Sequence, residues 1–343
     1  MVLTLQRLEI ADPDWLRFIE SCSSVTAFHH PAWAELLSAC YGFRPFAFVL
    51  EDGGRIRAGL PFVEVGNRLT GRRWVSLPFT DYCPPLAESE AALIALTDAL
   101  VEQRQRNGIE AIEVRAPLLE REGVYTYSDA VRHVLSLSEG CNTVYARFSK
   151  MHQRNIRKSE YCGVWIKQDS SLSAIRELYR LHIKTRQRLG TPVQPFRFFD
   201  LLAQHLVEDN LGFVLLACLD DRPIAATVFL AWNGTIIYKY GASDRRFWKY
   251  RPNNLLFWTA IKWGCEHGYH TFDFGRTDLS DEGLRAFKNG WGTKEEPLVY
   301  SVIANRPPRP SSGRIKKAMG AVIRRSPVWV CRLIGELFYK YAA

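Results

Sequence analysis

Residues 150–158 carry lysine or arginine at positions 150, 154, 157 and 158, a spacing of i, i+4, i+7 and i+8. On a helix that spacing gathers Lys150, Arg154, Arg157 and Lys158 on one face, suited to phosphate or another polyanion. Glu160 is the only acid close by, and a plain solvated helix surface is the other reading. A second candidate is the run Asp273, Phe274, Gly275, Arg276, Thr277, a strand that reaches a glycine and then displays a cation and a hydroxyl. Glycine there permits positive φ and close approach of a substrate to the backbone, while Asp273 suits a structural cap or a general base. A third is the stretch from Gly283 through Arg285, Phe287 and Lys288 to Gly290, Trp291 and Gly292. It reads as a short helix closed by two glycines around a tryptophan. An exposed Lys288 could hold a phosphate or a developing oxyanion, or be an ordinary helix-end lysine beside a packing Trp291.

Other constellations are missing. The sequence has no G-x-S-x-G, H-E-x-x-H, Walker loop or G-x-G-x-x-G. The Asp273 to Gly275 run is not a kinase motif, because no glycine-rich loop or His-Arg-Asp segment accompanies it. Eight cysteines are scattered without C-x-x-C or Cys/His spacing, so reduced thiols rather than a zinc site are expected. The adjacent His29 and His30 have no acidic or thiol ligand at metal spacing and are read as packing and surface residues.

The elements that must position these residues follow from periodicity and turn chemistry. Residues 45–51 and 55–65 are β-rich and flank Asp52, Gly53 and Gly54, a hairpin signal. Residues 88–107 have helical apolar spacing and stop at Gly108, before a strand at 109–115. From Cys141 a helical stretch runs to Tyr161, followed by a strand at 164–167 and helices at 172–188 and 195–208. Three strands, 212–219, 223–232 and 235–240, are separated by Asp220-Asp221 and Asn233-Gly234. A helix at 253–267 ends at Gly268, ahead of a strand at 271–274. The order implies an α/β (α+β) fold with a mixed, mostly antiparallel sheet flanked by helices.

With 343 residues, 47% apolar and 13% aromatic, the chain can bury a large core and is expected to hold two domains and a tail. The expected boundaries are 1–140, 141–305 and 306–343. The net charge is +9, and residues 306–343 hold nine basic residues against Glu336 alone, so eight of those nine charges lie in the tail. Residues 306–313 have linker composition, and two short basic helices broken at Pro327 should follow. No signal peptide and no apolar stretch of membrane-spanning length is read, which leads to the expectation of a soluble cytoplasmic protein.

In order along the chain, several pieces resemble the FemAB-like branch of the GNAT acyltransferase superfamily. They are the Phe-His-His-Pro-Ala-Trp run at 28–33, residues 71–79, the Arg154 to Lys158 helix, and residues 223–226, 238–243 and 252–258. Asp273 to Arg276 and Phe287-Lys288 with Trp291-Gly292 complete the set. The resemblance implies two GNAT-like domains, the second with a BioF2-like acetyltransferase domain. It also implies transfer of an acyl or aminoacyl group to an amine on a peptidoglycan or exopolysaccharide precursor. No cofactor is expected to be tightly bound; the acyl donor is a co-substrate, either aminoacyl-tRNA or acyl-CoA. The R/Q-x-x-G-x-G/A run that grips CoA pyrophosphate does not occur.

Carried over, the Phe-Lys pair of the family's late motif falls on Phe287 and Lys288, and implies that Lys288 steadies the developing oxyanion. Arg154, Arg157, Lys158 and Arg276 would contact substrate, Phe287 and Trp291 would shape the site, and Asp273 is the nearest base. No metal is implied. The tail alternates cations with apolar residues, the composition of an interfacial segment that could hold residues 311–343 on the inner face of the plasma membrane. Docking of those helices on the second domain is the other reading. An alternative function is a non-catalytic, membrane-associated accessory protein of envelope polysaccharide synthesis. An RNA-binding module is disfavoured by a body that is almost neutral.

Overall fold

The computed structural model describes residues 3–67, 71–308 and 313–342, with the side chains of 67, 313–318 and 342 left out. The tail cations Arg309, Arg314, Lys316 and Lys317 therefore lie outside the described side chains. Two compact units emerge. Of the described residues, the first comprises those up to Val131 and those of 297–308, the second Arg132–Glu296 and those of 313–342.

The first unit contains β1 (Thr4–Glu9), α1 (Pro13–Ser21), α2 (Pro31–Tyr41), β2 (Arg44–Asp52), β3 (Arg55–Asn67), β4 (Gly71–Val75), β5 (Leu86–Ala87), α3 (Glu90–Arg106) and β6 (Ala111–Val114). The strand β7 (Val124–Ser136) begins in it. Its strands run in the order β1, β2, β3, β4, β6, with β4 and β6 parallel and the other neighbours antiparallel. Residues 301–304 then pair antiparallel with β6, Ser301 opposite Val114. Trp15, Trp33, Phe46, Phe62 and Trp74 are fully buried. Buried indoles need partners: Trp33 donates to the Thr80 hydroxyl at 3.0 Å and Trp15 to the His29 carbonyl at 3.3 Å. His29 is the hinge of that packing, its Nδ1 accepting from the Thr26 N–H and its Nε2 donating to the Pro84 carbonyl.

The second unit holds α4 (Cys141–Arg147), α5 (Lys150–Tyr161), β8 (Trp165–Gln168), α6 (Leu172–Leu189), α7 (Phe196–Leu202), β9 (Gly212–Leu219), β10 (Arg222–Trp232), β11 (Thr235–Ser243), α8 (Pro252–Glu266), β12 (Thr271–Asp278) and α9 (Glu282–Asn289). The strand β13 (Lys294–Ala304) starts in it and ends in the first unit. Strands β8, β9, β10 and β11 are consecutive antiparallel neighbours, and β12 joins β11 in parallel after α8 has crossed over. Both turns between the three antiparallel strands form as expected, with positive φ at Asp220, Asp221, Asn233 and Gly234. The single helix expected over 141–161 is instead two. Ser149 breaks it, its hydroxyl accepting from the His152 N–H as an N-cap while its own N–H goes to the Gly290 carbonyl at 2.8 Å.

After residue 312 come α10 (Gly313–Arg325) and α11 (Val328–Phe338), separated at Pro327 as read from the sequence. They pack on the end of α6. The Gly335 backbone lies so close to the Val193 carbonyl that there is no room for a Cβ, and Cys331 and Ile323 are fully buried. Arg324 donates to the Leu189 carbonyl. No described helix is long and apolar enough to cross a membrane.

Candidate functional site

The centre of the second unit is an aromatic cluster in which Phe229, Phe257, Phe272, Phe274 and Trp291 are buried together. It supports two polar features, one on β12 and one on α9. In β12, the Asp273 carboxylate accepts from the Gly275 N–H at 2.7 Å, and Gly275 takes φ +69°. An L side chain rarely adopts that conformation, so the glycine is what allows the strand to turn its carbonyls inward. Lys288, on the last turn of α9, meets them: its Nζ donates to the Gly275 carbonyl at 2.9 Å and to the Arg276 carbonyl at 3.2 Å.

Lys288 is only 3% exposed, contrary to the exposed lysine considered from the sequence. Burial of an ammonium is costly unless it is hydrogen-bonded, and the turned carbonyls meet that need. Asp273 sits in the cap geometry, and its other oxygen lies 3.7 Å from the Arg132 guanidinium. Arg276 pairs with Asp278 at 2.7 Å.

The α9 end is pinned from behind by α5. His152 is buried, stacks on Trp291 with ring centroids 4.4 Å apart, and meets Phe287 edge-on at 5.0 Å. Its Nε2 donates to the Phe287 carbonyl at 2.8 Å, and its Nδ1 accepts from the Asn254 amide at 2.7 Å. Both ring nitrogens are thus committed with the imidazole neutral, and burial lowers its pKa. Phe287 itself is half-buried against Phe257 and Trp291. Sequence reading passed over His152, although it lies inside the basic run, because a histidine on the inner face of a helix carries no signal without its neighbours.

Beside Lys288, His133 is fully buried with its Nε2 3.1 Å from the Glu295 carboxylate, which Arg285 clamps with two nitrogens. Burial and then the Lys288 charge lower the His133 pKa, while Arg285 holds Glu295 below the usual carboxylate range. This charged layer also includes Arg132 on Glu296 at 2.8 Å. Neither β7 nor β13, which supply these residues, was read from the sequence.

The structure brings Lys288, Phe287, Trp291, Asp273 and Arg276 together. Arg154, Arg157 and Lys158 are elsewhere on α5, exposed to solvent with Lys150, while His152, Ile156 and Ser159 face inward. Among the described residues none of those four cations has a carboxylate partner. A second basic surface was missed altogether. The turn of residues 245–250 and Arg251, at the N-terminus of α8, expose Arg245, Arg246, Lys249 and Arg251, and Arg188 stacks on Trp248 at 4.6 Å. Four cations within the seven residues 245–251 were the available signal.

Between β10 and β11 the register slips, Val228 facing Tyr240 and Phe229 facing Tyr238, so that Lys239 is an extra residue. The bulge sends Tyr238 toward Phe257 and Tyr240 toward Phe199, two different clusters. Burial pushes the Tyr238 hydroxyl up to about 12.

Residues 146–289 match the family model of the GNAT acetyltransferase domain. The lipid II:glycine glycyltransferase of Staphylococcus aureus is 40% identical over 78 residues, which make up 20% of this chain and 18% of that protein. The match thus spans less than a fifth of the curated relative. In fold the chain is similar to FemX, with a TM-score of 0.69 at 15% identity, covering 92% of this chain and 100% of that one. It is also similar to L-PGS from Bacillus licheniformis (TM-score 0.57, 16% identity, 93% and 99% covered). A tandem GNAT protein from the clavulanic acid pathway gives 0.56 at 10% identity, with 90% and 100% covered. These structures share the mixed α/β architecture of tandem GNAT folds, as the sequence led one to expect.

Proposed function

We infer that this chain, whose residues 146–289 match the GNAT acetyltransferase domain, belongs to the FemAB-like branch and is an N-acyltransferase that transfers an acyl or aminoacyl group to an amine on a cell-envelope precursor. The observation that carries the reading is the buried Lys288 ammonium, held by two backbone carbonyls beside Asp273. A cation fixed before the substrate arrives needs no reorganisation when negative charge develops, which is what acyl transfer asks of a site.

In the reaction we propose, the acceptor nitrogen attacks the donor carbonyl and a C–N bond forms. Lys288 stabilises the tetrahedral oxyanion through a proton of its ammonium. The Asp273 oxygen facing Arg132 takes the proton lost by the amine. The C–O or C–S bond of the donor then breaks, and the leaving alcohol or thiol carries that proton away. Phe287 and Trp291 wall the site, and Arg276 contacts substrate.

Arg154, Arg157 and Lys158 supply a face for phosphates of the donor or acceptor through charge-assisted hydrogen bonds. Arg245, Lys249 and Arg251 at the α8 N-terminus offer a second such place. We propose GNAT-like domains of residues 1–140 and 141–305, and assign the chemistry to the second. The acceptor class we propose is a peptidoglycan or exopolysaccharide precursor, met at the inner face of the plasma membrane. The donor is aminoacyl-tRNA or acyl-CoA.

The test offers labelled acetyl-CoA and labelled aminoacyl-tRNA separately, with a membrane and precursor extract, to the protein and to Lys288→Ala. Transfer from one donor, lost in the variant, supports the reading and chooses the donor. No transfer from either, by a folded protein, favours the non-catalytic accessory protein.

A further inference from the structure

The helix α11 has two apolar faces and uses only one. Its sequence, Val328 to Phe338, contains just two charged residues, Arg332 and Glu336, and these lie 3.6 Å apart as a pair. A helix apolar all round is normally covered all round. Cys331 and Gly335 face the body of the second unit and are fully buried or nearly so, Cys331 beside the Thr191 carbonyl and Gly335 against Val193.

About 180° around the helix, by its 100° step per residue, lie Trp329, Leu333 and Leu337. Their exposures are 65%, 49% and 53%. Phe338 and Tyr341, and Met319 and Val322 of α10, are exposed apolar side chains as well. Exposed cations flank the helix in the chain, Arg325 just before it and Lys340 just after it, and the acid Glu336 is already paired.

We propose that the Trp329, Leu333 and Leu337 face of α11 is a docking surface for an anionic lipid bilayer. A single convex helix ridge offers no groove for a peptide. A second copy laid symmetrically on it would bring the flanking cations toward their own duplicates. A bilayer with anionic headgroups matches both parts: an apolar layer for the stripe and negative charge for the flanking cations, with Trp329 of the ring type that settles at such interfaces. The inner face of the same helix stays docked on α6, so the two readings of the tail left open by the sequence are two faces of one element. The proposal stands apart from the transfer chemistry.

The experiment is co-sedimentation of the full chain with vesicles of phosphatidylcholine, with and without phosphatidylglycerol. The protein should bind the anionic vesicles, and the double variant Leu333→Asp/Leu337→Asp should bind them about tenfold or more weakly. Arg325→Ala/Lys340→Ala should lose only the preference for anionic lipid. Both pairs are exposed, so unfolding temperatures should match the parent; Trp329→Ser is the substitute should the double variant not fold. Transfer to a short, water-soluble acceptor should be unchanged by Leu333→Asp/Leu337→Asp. The proposal is overturned if the parent protein ignores anionic vesicles at low salt or if the double variant binds as well as the parent. Conversion of a lipid-free dimer to monomer by the double variant would also overturn it, by giving the face to a second copy.

Discussion

The ammonium of Lys288 lies 2.9 Å from the carbonyl oxygen of Gly275, and Asp273 holds the Gly275 N–H from the other side. One short strand segment therefore fixes a cation through its backbone, with the carboxylate two residues upstream setting the turn. The lysine is positioned by bonds made in the absence of substrate, which is how preorganised electrostatics works.

Replacing Lys288 by Met should remove the charge while keeping most of the volume. Transfer is expected to fall by about 10²- to 10³-fold, the usual effect of deleting one oxyanion donor. Two buried carbonyls then lose their partner, and stability should drop by about 1–3 kcal/mol. Single-turnover rates and urea midpoints separate the two effects; a Met variant with parental turnover would remove Lys288 from the chemistry.

His152→Ala deletes two hydrogen bonds and a ring stacked on Trp291. The expected loss is about 2–4 kcal/mol, as for other buried networks left half satisfied. Because His152 acts on Phe287 and Trp291 rather than on substrate, the variant that folds should show a lower kcat with its pH profile unshifted. A displaced profile would instead mark His152 as a proton carrier.

Gly292→Ala meets two obstacles, a φ of +74° and an added Cβ 2.9 Å from the Arg147 Cβ. A cost of about 1–2 kcal/mol from the backbone alone is expected. Thermal unfolding would read it, and an unchanged midpoint would mean that the α9 end is not packed on α4 in this way.

Stability should decline in mild acid. Burial pulls the His29 pKa from 6.5 to about 4 and that of His182 to about 3. Below 6.5 the unfolded chain takes up both protons while the folded one takes up neither, so the stability present above 6.5 is lost as pH falls toward those values. Each histidine contributes a slope of up to about 1.4 kcal/mol per pH unit. Urea midpoints at neutral and mildly acidic pH should show the decline, and His29→Gln should flatten it; a pH-independent midpoint in the parent would contradict the burial of both rings.

Arg154→Ala/Arg157→Ala should leave the unfolding midpoint unaltered, since both side chains are exposed and, among the described residues, neither has a carboxylate partner. The KM for the phosphate-bearing substrate should rise and its salt dependence weaken, with kcat kept. Equal KM values would return this face to plain solvated surface.

What was legible in the sequence had a local cause. Asp220-Asp221 and Asn233-Gly234 demand positive φ, so the three antiparallel strands between them could be placed within a residue or two at most ends. The terminal helices and their break at Pro327 were equally local. The break at Ser149 was not legible, because the chain there has good helical spacing and is interrupted by a bond to Gly290, 141 positions away. For the same reason the sequence supplied Lys288 and Asp273 but neither the burial of the lysine nor His152. Both depend on the angle at which Gly275 turns its carbonyl and on a ring that only the folded chain stacks on Trp291.

The chain visits its two units alternately, and this imposes an order on synthesis. The first unit's sheet is completed by residues 301–304 paired with β6, and these leave the ribosome only after all of 132–296 has been made. The larger insert can gather its own core while the N-terminal half still lacks a strand at β6. A ribosome stalled so that residue 296 has just cleared its exit tunnel should therefore carry a nascent chain whose insert of residues 132–296 resists protease better than the first unit, although the first emerged earlier.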